Sequence, residues 1–302
     1  MSSTTTTRRT KTKATTTTSS RVDEKARRLQ EILAGYQSVL VAFSGGVDSA
    51  YLAIAAHQAL GTRALAVTAD SPSYPENHRR LALSIAGSFG LSHEMIRTDE
   101  LERPEYRANP ANRCYFCKDT LYSRLKTLAV ERGKAVVIDG NNADDRGDYR
   151  PGRQAAREHG VRSPLDDADL TKEEIRSLAR AAGLESWNEP ASACLSSRVP
   201  YGHEVSNEVL RQIEQAEAVV RELGFRIFRV RHHDTVARLE VARSEMPRAL
   251  DPDVSAKLTA GLKALGYQYV SLDLQGYRLG SLNEALLLRP VPAGEGSERT
   301  RA

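Results

Sequence analysis

The sequence predicts an α/β fold, a doubly wound parallel sheet, carrying a smaller C-terminal α+β domain. Short β-branched runs alternate with helical stretches between about residues 21 and 185, the pattern of βαβ units whose sheet is covered on both faces. Beyond about residue 200 the order changes to one long amphipathic helix followed by short alternating segments. At 302 residues the chain exceeds one ordinary domain. The expected organisation is a disordered tail over 1–20, a first domain over 21–200, a second over 201–290 and a flexible tail over 291–302.

Taken in order, Val22–Leu33 has helical spacing and Ser38–Phe43 (SVLVAF) is a short apolar strand. A helix follows over 50–60, then a strand over Arg63–Thr68, a helix over Glu76–Phe89 and a strand over Ser92–Arg97. Lys118–Glu131 is the next helix and Ala135–Asp139 (AVVID) the next strand. Over 170–182, Thr171 is an expected N-cap, Glu174 completes a capping box three residues on, and Gly183 is the stop. In the second domain, Glu204–Leu223 is a helix, and Arg226–Arg231 and Val236–Ala242 are paired strands. Asp253–Leu265 is again a helix and Tyr267–Leu272 a strand.

Composition excludes several classes. No apolar run reaches the ~18 residues that a membrane span needs, so no membrane is expected. Three cysteines do not make a disulfide-stapled scaffold. The net charge of +4 arises in the tail, where Arg8, Arg9, Lys11 and Lys13 meet no acid. The remainder is formally neutral, so the basic footprint of a nucleic-acid binder is missing. The Ser/Thr-rich tail has no apolar core of the secretory type, and a cytoplasmic protein is expected.

The chemistry begins at Ser44-Gly45-Gly46-Val47-Asp48-Ser49, between a strand and a helix. Adjacent glycines bring backbone N–H groups close to an anion, and the helix N-terminus adds partial positive charge. The GK[ST] ending of the Walker loop is missing. In this setting SGGxDS resembles the pyrophosphate loop of N-type ATP pyrophosphatases. That resemblance implies ATP, split between its α- and β-phosphates to activate a carbonyl or carboxyl oxygen. Ala42 and Phe43 at the strand exit join the loop in the expected nucleotide set, with Asp70 after the second strand. Gly140, Asn141 and Asp144 follow AVVID, at the carboxyl edge where open α/β sheets bind ligands. Asp144 or Asp145 could hold Mg²⁺ through its oxygens.

Cys114 and Cys117 form a C-x-x-C in NRCYFCK, placed by the pattern on a polar loop just ahead of a helix, and Cys194 lies far downstream in PASACLSSR. A lone C-x-x-C leaves zinc, a redox pair, a cluster or no shared role open. Three thiolates on a [4Fe–4S] cluster would leave one iron with an open position, which suits catalysis.

In order, SGGVDS, NRCYFCK, GNNADD and ACLSSR followed by PYG resemble the LarE family over about 38–290. These are ATP-dependent sulfur transferases that make the pyridinium bisthiocarboxylate nucleotide of the nickel-pincer cofactor of lactate racemase. The resemblance implies adenylation of pyridinium-3,5-biscarboxylic acid mononucleotide, followed by displacement of AMP by sulfur at Cys194. In single-cysteine members that cysteine is sacrificed and becomes dehydroalanine. This chain is similar to three-cysteine members, in which Cys114, Cys117 and Cys194 hold a [4Fe–4S] cluster carrying an extra sulfide, so a sulfide donor joins the implied partners. By family position Arg229 and Arg231 are implied phosphate binders, and Glu217 and Glu240 are linked to a divalent metal. Arg198, four residues after Cys194, is placed to lower a thiolate pKa or hold a carboxylate. A homo-oligomer, with a hexamer as one form, is also implied.

Three other readings stand beside this one. A tRNA thiolation enzyme joins the same loop to a cysteine cluster but predicts a basic surface. An amidotransferase-linked ligase such as GMP or NAD synthetase shares SGGxDS without needing the cysteines. A non-enzymatic nucleotide sensor would leave the thiol-bearing loops without a role.

Overall fold

In the computed structural model, which describes residues 12–147, 151–190 and 193–287, the alternation becomes a layered unit. Its elements are α1 (Thr12–Ala34), β1 (Val39–Ala42), α2 (Val47–Leu60), β2 (Ala64–Asp70), α3 (Glu76–Ser88) and β3 (His93–Arg97). There follow α4 (Pro104–Arg107), α5 (Arg113–Glu131), β4 (Val136–Ile138), α6 (Pro151–Glu158), α7 (Pro164–Asp167) and α8 (Lys172–Ala181). The strands lie in the order β3-β2-β1-β4, and each neighbouring pair is parallel.

Period-2 alternation sorts the side chains of β1 between two faces. Val39 and Val41 join a core with Leu29 and Leu33 of α1, Ala50 and Ile54 of α2, and Ile175 of α8. Leu40, between them, joins the opposite core with Tyr122, Leu125 and Leu128 of α5 and with Ala155 of α6. The sheet is thus doubly wound, as expected, and the ends of β1, β2 and β4 open onto one edge.

The second unit is built on α9 (Asn207–Glu222), β5 (Phe228–His233), β6 (Val236–Val241), α10 (Met246–Ala249), α11 (Pro252–Ala264), β7 (Tyr269–Leu272) and α12 (Glu284–Leu287). β5 pairs antiparallel with β6, and β6 pairs parallel with β7 after the crossover through α10 and α11. Its own core gathers Val220, Phe225, Val230, Leu239, Leu262 and Tyr267.

Three expectations change. The helix expected from Val22 begins at Thr12, so part of the segment read as disordered is helical. Lengthening a helix anchored by buried Leu29 and Leu33 avoids the cost of a new nucleus. Residues 1–11 and the expected flexible tail over 291–302 lie outside the described residues.

The C-x-x-C is not on a loop, because α5 starts at Arg113 and carries both cysteines in its first turns. Arg113 is 2% exposed and donates to Asn109 Oδ1 at 2.5 Å, which fixes the helix start five residues earlier than expected.

Finally, the single boundary expected at 200/201 becomes an exchange. Gly202–Glu214 belongs to the first unit and Ser197–Tyr201 to the second, and the division recurs inside α9. The amides of Gly202 and Val205 donate to the carbonyls of Asn109 and Arg107, whereas Ser197 and Arg198 bond to residues of the second unit.

Candidate active site

The Ser44–Ser49 loop is closed from within. Ser49 Oγ donates to the Gly46 carbonyl at 3.0 Å and receives the Ser44 amide at 3.2 Å. Gly45 has φ +70, and a Cβ there would stand 3.1 Å from the Ala82 backbone nitrogen; only glycine meets both conditions without strain. Gly46 caps α2 with no side-chain hydrogen bond, and a helix N-terminus attracts an anion through its N–H groups and dipole. Phe43 is buried and Ala42 half-buried at the strand exit.

The β4 edge closes against this loop. A Cβ on Gly140 would lie 3.0 Å from the Ser49 nitrogen, so glycine is what lets the two strand ends approach. Asn142 Nδ2 donates to Asp48 Oδ2 at 3.2 Å, and Lys172 Nζ stands 3.9 Å from the same oxygen. Asn141 is held by Asp139, and the exposed Asp144 accepts the Lys172 amide at 2.8 Å. Asp70, expected at the nucleotide, is paired with Arg79 at 2.5 Å. The loop, Gly140, Asn142 and Asp48 therefore come together, while Asp70 is already neutralised.

One short segment joins this edge to the sulfur-bearing loop. Tyr74 Oη donates to the Ser44 carbonyl at 2.9 Å, and the Leu195 amide donates to the Ser73 carbonyl at 2.8 Å. On its other side the Cys194 loop is gripped through Ser196. Arg113 Nη1 donates to the Ser196 carbonyl at 2.7 Å, and the Tyr106 and Ser196 hydroxyls bond at 2.6 Å.

None of the three thiols is in a disulfide, and Cys194 influences the titration of both Cys114 and Cys117. Cys117 is pushed well up by burial first, then by Glu100 and Cys194. Cys114 reaches solvent, yet its surroundings and Cys194 also push it up, opposed by Arg113. Among the described residues no group of His, Cys, Asp or Glu is arranged to hold a single metal ion. Two of the thiols stand on the first turns of α5 and the third in the Cys194 loop.

The second unit holds a buried arginine–glutamate cluster of its own. Arg198 grips Glu217 with Nε at 2.8 Å and Nη2 at 2.9 Å, both residues being under 5% exposed, and the Val230 amide adds a bond at 3.2 Å. Although burial opposes ionisation, Arg198, Arg229 and this amide hold the Glu217 carboxyl below its ordinary range. Arg231 donates to Glu240 Oε2 and to the Ser197 carbonyl, each at 2.8 Å. Arg229 shares its face of β5, as alternation requires, and lies 5.2 Å over the Tyr277 ring. Burial and the nearby Arg198 charge lower its affinity for its proton.

Glu217 and Glu240 do not suit a divalent metal, because guanidinium groups already occupy their oxygens. Arg198 likewise serves Glu217 rather than standing open to a thiolate. The sequence reading missed Tyr74, Glu100, Tyr106, Arg113 and Lys172. Their pairings span distant segments, so no local spacing announced them.

Comparison with known proteins adds to this geometry. Residues 22–129 match the family model described as NAD synthase. Over 265 residues the chain is 41% identical to an uncharacterized protein of Synechocystis sp., covering 88% of this chain and 99% of that one. It is 37% identical over 263 residues to the pyridinium-3,5-bisthiocarboxylic acid mononucleotide synthase of Lactiplantibacillus plantarum, covering 87% of this chain and 95% of the relative. Similarity to the GMP synthase of Aeropyrum pernix is lower, 27% over 61% of this chain and 39% of that one. Among the described residues no helix is long and apolar enough to cross a membrane.

Proposed function

Because the chain belongs to the LarE family, we propose that it is an ATP-dependent sulfur transferase converting the carboxylates of pyridinium-3,5-biscarboxylic acid mononucleotide to thiocarboxylates. The observation that carries this reading is the Ser73–Tyr74 bridge, which ties the phosphate loop and the Cys194 loop to one segment. A GMP or NAD synthetase has no need of that connection. ATP lies with its phosphates on the Ser44–Ser49 loop and the α2 N-terminus; Asp144 or Asp145 would hold Mg²⁺, which when bound would offset the phosphate charge. A substrate carboxylate oxygen attacks the α-phosphorus, the α–β bond breaks, and pyrophosphate leaves with the bonding electrons. Sulfur then attacks the acyl carbon and AMP departs, leaving a carbon–sulfur bond.

Two sources of that sulfur remain in the proposal. Cys114, Cys117 and Cys194 would hold a [4Fe–4S] cluster, which when bound supplies an extra sulfide from a sulfide donor. Otherwise Cys194 itself attacks and gives up its sulfur as its Cβ–S bond breaks. In either case Arg113 and Tyr106 orient the Cys194 loop through Ser196. Arg229 and Arg231 meet the substrate phosphate; Arg231 Nε is buried with no hydrogen-bond partner among the described residues, and a phosphate oxygen would supply one. The proposal includes a cytoplasmic homo-oligomer that feeds nickel-pincer cofactor synthesis.

The test is anaerobic reconstitution with iron and sulfide, then incubation with ATP and the mononucleotide. Sulfurated nucleotide, AMP and unchanged protein support the cluster source. Protein lighter by one H₂S per sulfur transferred supports Cys194 as source. Absence of both AMP and sulfurated product refutes the activity.

A further inference from the structure

Glu100 is a buried carboxylate that the reaction above does not use. It is 3% exposed, and its Oε1 accepts the Ser71 hydroxyl at 2.6 Å and the Ser73 hydroxyl at 2.8 Å. The two hydroxyls also lie 2.9 Å apart, and no basic side chain among the described residues pairs with the carboxylate. A buried acid without a cation is costly unless its hydrogen bonds are worth keeping. Here they fix the segment just beyond β2. From that segment Tyr74 reaches the Ser44 carbonyl and the Ser73 carbonyl receives the Leu195 amide. Burial first, and then Glu100, also push the Cys117 thiol up. One side chain therefore anchors the segment to which both the phosphate loop and the Cys194 loop are bonded.

We propose that Glu100 is a positioning residue: by holding Ser71 and Ser73 it keeps the sulfur-bearing loop in register with the phosphate loop, and so determines how much acyl adenylate goes on to receive sulfur. This rests on the proposed function. A misplacement of about 1 Å between reacting groups costs on the order of 10²-fold in rate, so loss of the anchor acts mainly on the second step. The first step, within the phosphate loop and substrate, keeps its geometry.

The test compares full-length wild type with Glu100→Ala and Glu100→Gln under anaerobic reconstitution, measuring AMP and thiocarboxylate separately. Glu100→Ala is expected to release AMP within a few-fold of wild type while thiocarboxylate per AMP falls by up to about 10²-fold. Glu100→Gln is expected to recover most of that ratio, because both hydroxyls bond one oxygen that the amide retains. An unchanged ratio in Glu100→Ala, or failure of the glutamine to restore it, overturns the proposal. Should Glu100→Ala fail to fold, Ser73→Ala takes its place: a lowered ratio supports the proposal and an unchanged one overturns it.

If wild type makes no AMP with the mononucleotide, the functional reading fails; if wild type makes AMP and thiocarboxylate but Glu100→Ala leaves their ratio unchanged, the role of Glu100 alone is overturned.

Discussion

Replacing Arg198 with alanine should unfold the second unit before the first. The guanidinium is the bidentate partner of Glu217, at 2.8 and 2.9 Å, and Glu217 is 4% exposed. Removing it strands a carboxylate that still accepts the Val230 amide but has lost its bidentate partner. Breaking one side of a buried pair costs about 3–5 kcal/mol, most of it the desolvation of the charge left behind. The sole tryptophan, Trp187, packs in the first unit and reports on that unit alone, whereas far-ultraviolet circular dichroism reports on both. Urea titration should therefore show an early dichroism transition in Arg198→Ala with the fluorescence midpoint little changed.

The pH dependence should reverse as well. In the wild type the folded carboxyl titrates below its unfolded value. Its contribution is therefore full above the unfolded value, about 4.3, and is lost as pH falls through the folded one. In the variant burial acts without Arg198, raising the folded value above the unfolded one. Stability is then greatest below about pH 4.3 and declines as pH rises. A variant within about 1 kcal/mol of wild type, or one whose stability still falls on acidification in the same way, would refute the assignment of Arg198 to Glu217.

Gly140→Ala places a methyl group 3.0 Å from the Ser49 nitrogen, so ATP affinity measured by calorimetry should fall at least about tenfold, about 1.4 kcal/mol. Arg229→Ala should raise the KM for the mononucleotide by about one to two orders of magnitude with less effect on kcat, since a charged hydrogen bond is worth about 1.5–3 kcal/mol. Equal effects on both constants would remove Arg229 from the phosphate. Cys194→Ala should abolish the sulfurated product while AMP still forms, and retention of product would show that neither sulfur source involves this residue. Thr171→Ala should cost about 1 kcal/mol of stability in the first unit, read by Trp187 fluorescence, because it dismantles a complete capping box.

Local chemistry in the sequence was enough for much of this molecule. The capping box forms as written, with the Glu174 amide donating to Thr171 Oγ1 and the Thr171 amide to Glu174 Oε2. The strand–SGGVDS–helix unit, the parallel sheet and the shared face of Arg229 and Arg231 also follow from short-range periodicity and glycine freedom. Near neighbours in the chain suffice because dihedral preferences and capping bonds act over a few residues.

Tertiary structure alone decided the rest. Only folding could commit Glu217 and Glu240 to arginines instead of a metal, since each pairing depends on which buried charge lies opposite. The same holds for the start of α5 at Arg113, whose partner Ser196 lies far along the chain. The bridge from Ser44 through Tyr74 and Ser73 to Leu195 is of this kind too, made of side-chain and carbonyl bonds between segments with no common periodicity. Such contacts arise because every buried polar group must find a partner, and which partner it finds is settled by packing.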